Sequence, residues 1–250
     1  ASEAADPDLI HFDPLRQNFL HHELRTQYIS FTYGCAMSEL LIQKGITPSY
    51  LCGYSMGIYA ALVSGKSISF EDGLGLIRRA FGEIACTTMT GRFGMAGIIG
   101  LTEKDIKNLC NPYPDVEITN QNSLYSFILS GHQNDLEKVL KAAREEGAFH
   151  AKMLNVTVPY HSHLLKSAAI QFAKFVFTLD VRLPLYPIIS VLNQKSLNST
   201  EDIKTELVEN LYKHFNWYKT QQELINMGAD LFIECGSGKN LKKNSRFIQG

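Results

Sequence analysis

Apolar positions along the chain follow two periods that change over near residue 92. From about Glu23 to Lys44, Tyr28, Phe31, Cys35, Leu40 and Leu41 recur on one helical face, and Gly45 supplies the stop. The short apolar run Tyr50-Leu51-Cys52 reads as a strand, and Ile58-Tyr59-Ala60-Ala61-Leu62-Val63 as a buried helix. Ser69-Phe70-Glu71-Asp72 has the form of a capping box, followed by a stripe of Leu74, Ile77, Phe81 and Ile84. This helix is expected to fade in the β-branched, turn-rich stretch Thr87-Thr88-Met89-Thr90-Gly91.

Beyond that point the elements shorten. Met95 to Leu101 predicts a strand, and Thr102 caps a helix reaching about Cys110. Val116–Asn120 and Ser126–Ser130 predict a hairpin, and Asp135–Glu146 an amphipathic helix stopped by Gly147. Phe149–Val156 predicts a closing strand. A β-α-β-β-α-β order within about 65 residues is the ferredoxin-like pattern. After it come a long helix starting at Val158-Pro159-Tyr160-His161-Ser162-His163 and an apolar strand, Tyr186–Leu192. Helices from Asp202 to about His214 and from Trp217 to Met227 follow, then a strand at Leu231-Phe232-Ile233-Glu234. Strands alternating with helices on both sides of the insert predict an α/β protein. Its expected architecture is a mostly parallel-sheet, hydrolase-like core (residues 1–91 and 157–250) with an inserted ferredoxin-like (βαββαβ) subdomain at 92–156.

Composition narrows the function classes. With 250 residues, 45% apolar and 20% charged, the chain can bury a sizeable core. A net charge of −1 without a basic stripe argues against a nucleic-acid partner. No apolar run approaches the ~20 residues of a membrane span, and the polar residues 1–18 lack the features of a signal peptide. Five scattered cysteines without C-x-x-C spacing suit free thiols in a reducing compartment, with neither disulfides nor a metal site. The cytoplasm is the expected location; oligomeric state is not encoded in any visible pattern.

The chemistry gathers on Gly53-Tyr54-Ser55-Met56-Gly57, a G-x-S-x-G between a predicted strand and helix. That context is a nucleophile elbow, with glycines relieving the sharp turn and the next helix's free N–H groups meeting an oxyanion. A serine nucleophile needs a base. Of eight histidines, His21, His22, His132, His150 and His214 read as surface or packing residues. His161 follows a strand and a proline at the start of another helix, and is the candidate base; His163 reads as a helix-start surface residue. Asp105, Asp115 and Asp135 all fall in the insert, so no acid completes a triad. Gly236-Ser237-Gly238-Lys239 lacks the spacing of a phosphate loop.

Taken together these segments resemble the superfamily of malonyl-CoA:acyl-carrier-protein transacylases and polyketide-synthase acyltransferase domains, from about Arg25 to Lys242. Gly53–Leu62 resembles its G-H-S-x-G-E-x-x-A-L, and Met95–Leu101 the opening of its ferredoxin-like subdomain. Asn120-Gln121-Asn122-Ser123 with Ile128-Leu129-Ser130-Gly131 resembles N-x-N-S…V-I-S-G. Val158–Ser162 resembles the segment of the catalytic histidine, and Glu234–Leu241 the closing E-x-G-P-G-K-x-L. The resemblance implies a cofactor-free ping-pong transfer between phosphopantetheine thioesters, with acyl-CoA and acyl carrier protein as partners. Ser55 would be the nucleophile, His161 the base and Met56 N–H an oxyanion donor. A backbone carbonyl matched to Asn216 would orient the histidine. Gln27, in Thr26-Gln27, and Asn122 would lie near the acyl pocket.

Four departures shape the expectation. The family's opening strand and G-Q-G-S-Q loop have no counterpart, which points to a missing segment. Tyr54 replaces the usual histidine and Ile58 the glutamate. Ala80 stands where the family's arginine grips a malonyl carboxylate, and Arg79, one residue away, is turned by about 100° on a helix. Tyr160 brings bulk to a position that selects the acyl group. An uncarboxylated acyl group is therefore expected. Two alternatives stay open: a proofreading hydrolase of acyl-carrier thioesters, and a silent module that only docks carrier protein.

Overall fold

The computed structural model describes residues 23–245. The chain opens with α1 (Glu23–Gln43), then β1 (Leu51–Cys52), α2 (Gly57–Ser64) and α3 (Phe70–Thr88). Next come β2 (Phe93–Ile99), α4 (Glu103–Cys110), β3 (Glu117–Ser123), β4 (Ser126–His132), α5 (Gln133–Glu145) and β5 (His150–Met153). A 3₁₀ turn (His163–Leu165) leads into α6 (Lys166–Val176), followed by β6 (Ile188–Ile189), α7 (Thr200–Glu209), β7 (Phe215–Asn216), α8 (Trp217–Asn226) and α9 (Asn240–Ser245). No described helix is long and apolar enough to cross a membrane.

Local signals act as their chemistry requires. Ser69 Oγ accepts from Asp72 N–H at 2.9 Å, and the Asp72 carboxylate accepts from Ser69 N–H at 3.2 Å, closing the capping box of α3. Thr102 and Asp105 make the same device at α4. Buried Leu74, Leu76, Ile77 and Ile84 turn α3 into a core that α1, α2, α6 and α7 share.

The segment from β2 to β5 forms an antiparallel sheet in the order β5-β2-β4-β3, the ferredoxin-like arrangement. Its own core is Ile98, Phe127, Leu129, Leu136 and Val139 under α4 and α5. β7 then joins the free side of β3 in parallel, pairing Asn120 with Phe215 and Gln121 with Asn216. A strand from late in the chain thus completes a sheet begun a hundred residues earlier.

The class is α/β and the core pairing is parallel, but among the described residues that core sheet is only β1 against β6. Leu231–Glu234 is not a strand, and Leu231 is 72% exposed. A strand needs a hydrogen-bonding neighbour, and no described strand lies beside this one. The expected strand at 186–192 stops after Ile189, because Ser190 Oγ accepts from the N–H groups of Leu192 and Asn193 and curls the chain into a turn. The helix expected from Val158 starts only at Lys166, since His161 sits in the left-handed region at φ 60°. His21, His22 and residues 1–18 lie outside the described residues.

Candidate active site

β1 runs into the elbow, and the sharp bend falls on the serine itself: Ser55 has φ 53°. Of the two elbow glycines only Gly53 is sterically required. A Cβ there would land inside the backbone of Gly57 and Ile58, whereas one on Gly57 meets nothing. α2 then begins, with Ile58 N–H donating to Ser55 C=O at 3.2 Å. The elbow so formed presents Ser55 Oγ to His161 Nε2 at 2.7 Å, across 106 residues of sequence.

His161 is 5% exposed and packs edge-on against Phe215, with ring centroids 4.7 Å apart. Its main-chain N–H donates to Leu211 C=O at 3.0 Å. Burial pushes the imidazole down from 6.5 to about 4; the backbone carbonyl of Asn210, facing the ring without full hydrogen-bond geometry at Nδ1, opposes this. The ring is neutral at physiological pH, the state a general base requires. The preceding residue is held by the antiparallel sheet, where Ser130 Oγ donates to Tyr160 C=O at 2.8 Å. Glu117 accepts from His163 N–H at 2.7 Å on the other side. Ser130 lies in the Ile128–Gly131 segment that resembles the family motif, whereas Glu117 carries no sequence signal beyond its residue type.

The carbonyl expected at Asn216 is elsewhere. Asn216 C=O accepts from Thr220 Oγ1 at 2.8 Å, and its side chain joins Gln121 at 2.7 Å. Asn216 caps α8 and pins β7 to β3, and the carbonyl next to His161 belongs to Asn210. The motif could be matched by residue spacing, but the turn between α7 and β7 decides which carbonyl faces inward.

Tyr54 and Asn122, both expected at substrate, spend their polar atoms on each other. The Tyr54 hydroxyl donates to Asn122 Oδ1 at 3.2 Å and accepts from Asn120 Nδ2. Its ring lies edge-on to Phe215 and Trp217, and burial raises its pKa to about 12. This cluster welds the elbow to β3. Gln27 does reach a partner expected at the pocket: its Nε2 donates to the Tyr160 hydroxyl at 3.0 Å. That hydroxyl donates in turn to Glu23 Oε1 at 2.6 Å. Burial, reinforced by the Glu23 charge, pushes the Tyr160 phenol strongly upward, so it remains a neutral donor. Glu23 was not singled out by any motif. Ala80 is buried in the core, while Arg78 and Arg79 are exposed and Arg79 pairs with Glu83 at 2.8 Å.

One turn before Asn210 on α7, Glu206 is buried and holds Ser190 Oγ at 2.6 Å. Burial raises its carboxyl from 4.5 to about 7. Unfolding releases its proton, so this group makes stability fall as pH rises from about 4.5 to about 7. His161 has the opposite slope, because its unfolded form takes up a proton, so stability rises from about pH 4 to 6.5. The two oppose across their shared window. Glu206→Gln keeps an oxygen for Ser190 and removes one slope, leaving stability that climbs by about 3 kcal/mol through this window. Urea titrations across it should show that climb in the variant and a shallower slope in the wild type; equal slopes would remove Glu206 from the balance.

A serine at a strained elbow in contact with a buried histidine, beside a ferredoxin-like sheet, is the arrangement a serine nucleophile and its base require. A family model described as the acyl transferase domain matches residues 26–237, and the chain belongs to this family. It is 30% identical over 214 residues to the malonyl CoA-acyl carrier protein transacylase of Bacillus subtilis (strain 168), covering 84% of this chain and 68% of that one. Among solved structures it is similar to the Coxiella burnetii malonyl CoA-acyl carrier protein transacylase, with TM-score 0.94, 28% identity, and 99% and 80% of the two chains covered. It is also similar to a malonyl-transacylase solved with a type II polyketide-synthase acyl-carrier protein, with TM-score 0.93, 26% identity, and 99% and 82% covered.

Proposed function

We propose that this protein transfers an uncarboxylated acyl group between coenzyme A and acyl-carrier-protein thioesters through an acyl-Ser55 intermediate. The 2.7 Å contact between Ser55 Oγ and His161 Nε2 carries the reading. In the first half-reaction His161 Nε2 takes the hydroxyl proton as Oγ attacks the thioester carbonyl. Met56 N–H, at the start of α2, stabilises the oxyanion. The C–S bond then breaks, and the protonated His161 returns its proton to the leaving thiolate. The second half-reaction reverses these roles: His161 deprotonates an incoming phosphopantetheine thiol, which attacks the ester and frees Ser55. The Asn210 carbonyl stabilises the transient imidazolium in place of an acid.

Two observations support an uncharged acyl group. Ala80 offers no guanidinium, the natural bidentate partner of a carboxylate. The Tyr160 hydroxyl that could have met one is already committed to Glu23, a carboxylate itself. A malonyl carboxylate entering here would lose water without gaining a cation.

Intact-protein mass spectrometry after mixing with acetyl-CoA, with malonyl-CoA and with acylated carrier protein tests both parts. Acetyl-Ser55 should form at least about 100-fold faster than malonyl-Ser55, the order expected when one buried charge goes unpaired. Rapid malonylation would sink the proposed selectivity. An adduct that passes to carrier-protein thiol identifies a transferase, and one released as free acid identifies the hydrolase. No adduct from any thioester, with Ser55 intact, would leave only the docking module.

A further inference from the structure

Ser55 and His161 share an unusual feature: both are non-glycine residues with positive φ, at 53° and 60°. Each such residue costs on the order of 1–3 kcal/mol and persists only where its surroundings over-determine it. The dipeptide Asn210-Leu211, at the carboxyl end of α7, reaches both of them. Asn210 Nδ2 donates to the main-chain carbonyl of Ser55 at 3.0 Å. Leu211 C=O accepts from His161 N–H at 3.0 Å, and Asn210 C=O faces the His161 ring.

Asn210 is not spent on an ordinary cap. Its backbone stays right-handed at φ −61°, and its N–H closes the last turn of α7 on Glu206 C=O at 2.9 Å. The side chain is only 4% exposed, and Oδ1 has no partner. A buried amide satisfied on one side only is uncommon, and the side that is satisfied is the one on the nucleophile. Ser55 C=O otherwise accepts, among the described residues, from Ile58 N–H within its own elbow. Among the described residues, Asn210 is the main-chain tether that reaches Ser55 from another element.

We infer that Asn210 is a positioning residue: its side-chain amide locks the elbow carbonyl of Ser55 to the same helix end whose main chain holds His161, and so sets the nucleophile–base distance. The inference rests on Ser55 being the nucleophile, and it deepens the proposed function by naming what holds the dyad in register. A shift of about 1 Å in such a pair lowers turnover by as much as ~100-fold without touching substrate binding.

The test follows the rate at which a fluorophosphonate probe labels Ser55, together with kcat and KM for thioester transfer, in folded variants with thermal midpoints recorded. Asn210→Ala should slow labelling and kcat by about 10–100-fold and leave KM unchanged. Asn210→Gln, which retains an N–H donor on a longer arm, should recover most of the loss. Asn111→Ala, which removes the corresponding residue at the end of α4, should label at the wild-type rate. Labelling of Asn210→Ala at the wild-type rate, or a loss that Asn210→Gln does not relieve, overturns the inference. Should Asn210→Ala not fold, Asn210→Asp replaces it, since it keeps the size and presents an oxygen in place of the donor. Slower labelling of Asn210→Asp than of Asn210→Gln then supports the inference, and equal labelling defeats it. Failure of the wild type to take an acyl group from any thioester would count against the proposed function, while probe labelling of Ser55 would still decide the role of Asn210.

Discussion

Replacing Ser55 with alanine should abolish the proposed acyl adduct, and replacing His161 with alanine should slow its formation by about three to six orders of magnitude, the range seen when one member of such a unit is removed. The two variants separate by mechanism. Ser55→Ala leaves no atom to be acylated, so no concentration of thioester restores an adduct. His161→Ala keeps Oγ but removes the imidazole at 2.7 Å, so the residual rate should rise with hydroxide. The wild-type profile has its own signature. Because burial holds His161 down at about 4, acylation should stay on its plateau through mildly acidic pH and decline only near pH 4. An ordinary exposed histidine would place that decline near 6.5. Alanine at 55 inherits the same positive φ that serine bears, so the fold survives at a cost of about 1–3 kcal/mol from the partner left unpaired. Stopped-flow acylation with mass-spectrometric detection measures both variants, and an adduct on Ser55→Ala would remove Ser55 from the mechanism.

Gly53→Ala is expected to be as damaging while touching no reacting atom. Its Cβ would overlap the backbone N and Cα of Ile58 and the carbonyl carbon of Gly57, all in the first turn of α2. Backbone cannot rotate aside as a side chain can, so β1 and α2 must separate or the elbow must open. Either response moves Ser55 away from His161. Loss of several kcal/mol of stability, of the order reported for severe overpacking (about 1–3 kcal/mol or more), should accompany loss of acylation. Gly57→Ala is the contrast: its Cβ would meet no atom within 4 Å, so it should fold and retain the elbow. Chemical denaturation of the pair, beside acylation rates, separates them. Equal stability for Gly53→Ala and wild type would refute the elbow packing described above.

Much of this was readable from residues alone. Ser69 and Asp72 announced their helix because a capping box is local: both partners lie within four residues. The βαββαβ segment was legible for a similar reason, since each amphipathic stripe marks which face must be covered. The elbow was legible as strand, G-x-S-x-G and helix, although the bend fell on Ser55 rather than on both glycines. His161 was singled out by its place after a predicted strand and a proline at an expected helix start, and the family resemblance pointed to the same residue. What failed were contacts between elements distant in the chain. Asn216 was matched to the carbonyl beside the histidine, but its carbonyl accepts from Thr220 Oγ1, and it is the Asn210 carbonyl that faces the His161 ring. Tyr54 and Asn122 were placed at substrate, yet they satisfy each other at 3.2 Å. Glu23 had no motif, and its meaning comes only from the Tyr160 hydroxyl 137 positions away. Leu231–Glu234 had the composition of a strand but no described neighbour to pair with.

The sequence by itself determined the α/β class, the ferredoxin-like sheet and the candidate nucleophile and base, because periodicity, caps and the elbow are encoded within short windows. Only the tertiary structure decided which carbonyl faces the His161 ring and which polar side chains are already paired with one another. Those are questions of where hydrogen-bonding groups meet after burial. A buried donor takes whatever acceptor the packing brings within about 3 Å, and no window of sequence contains both.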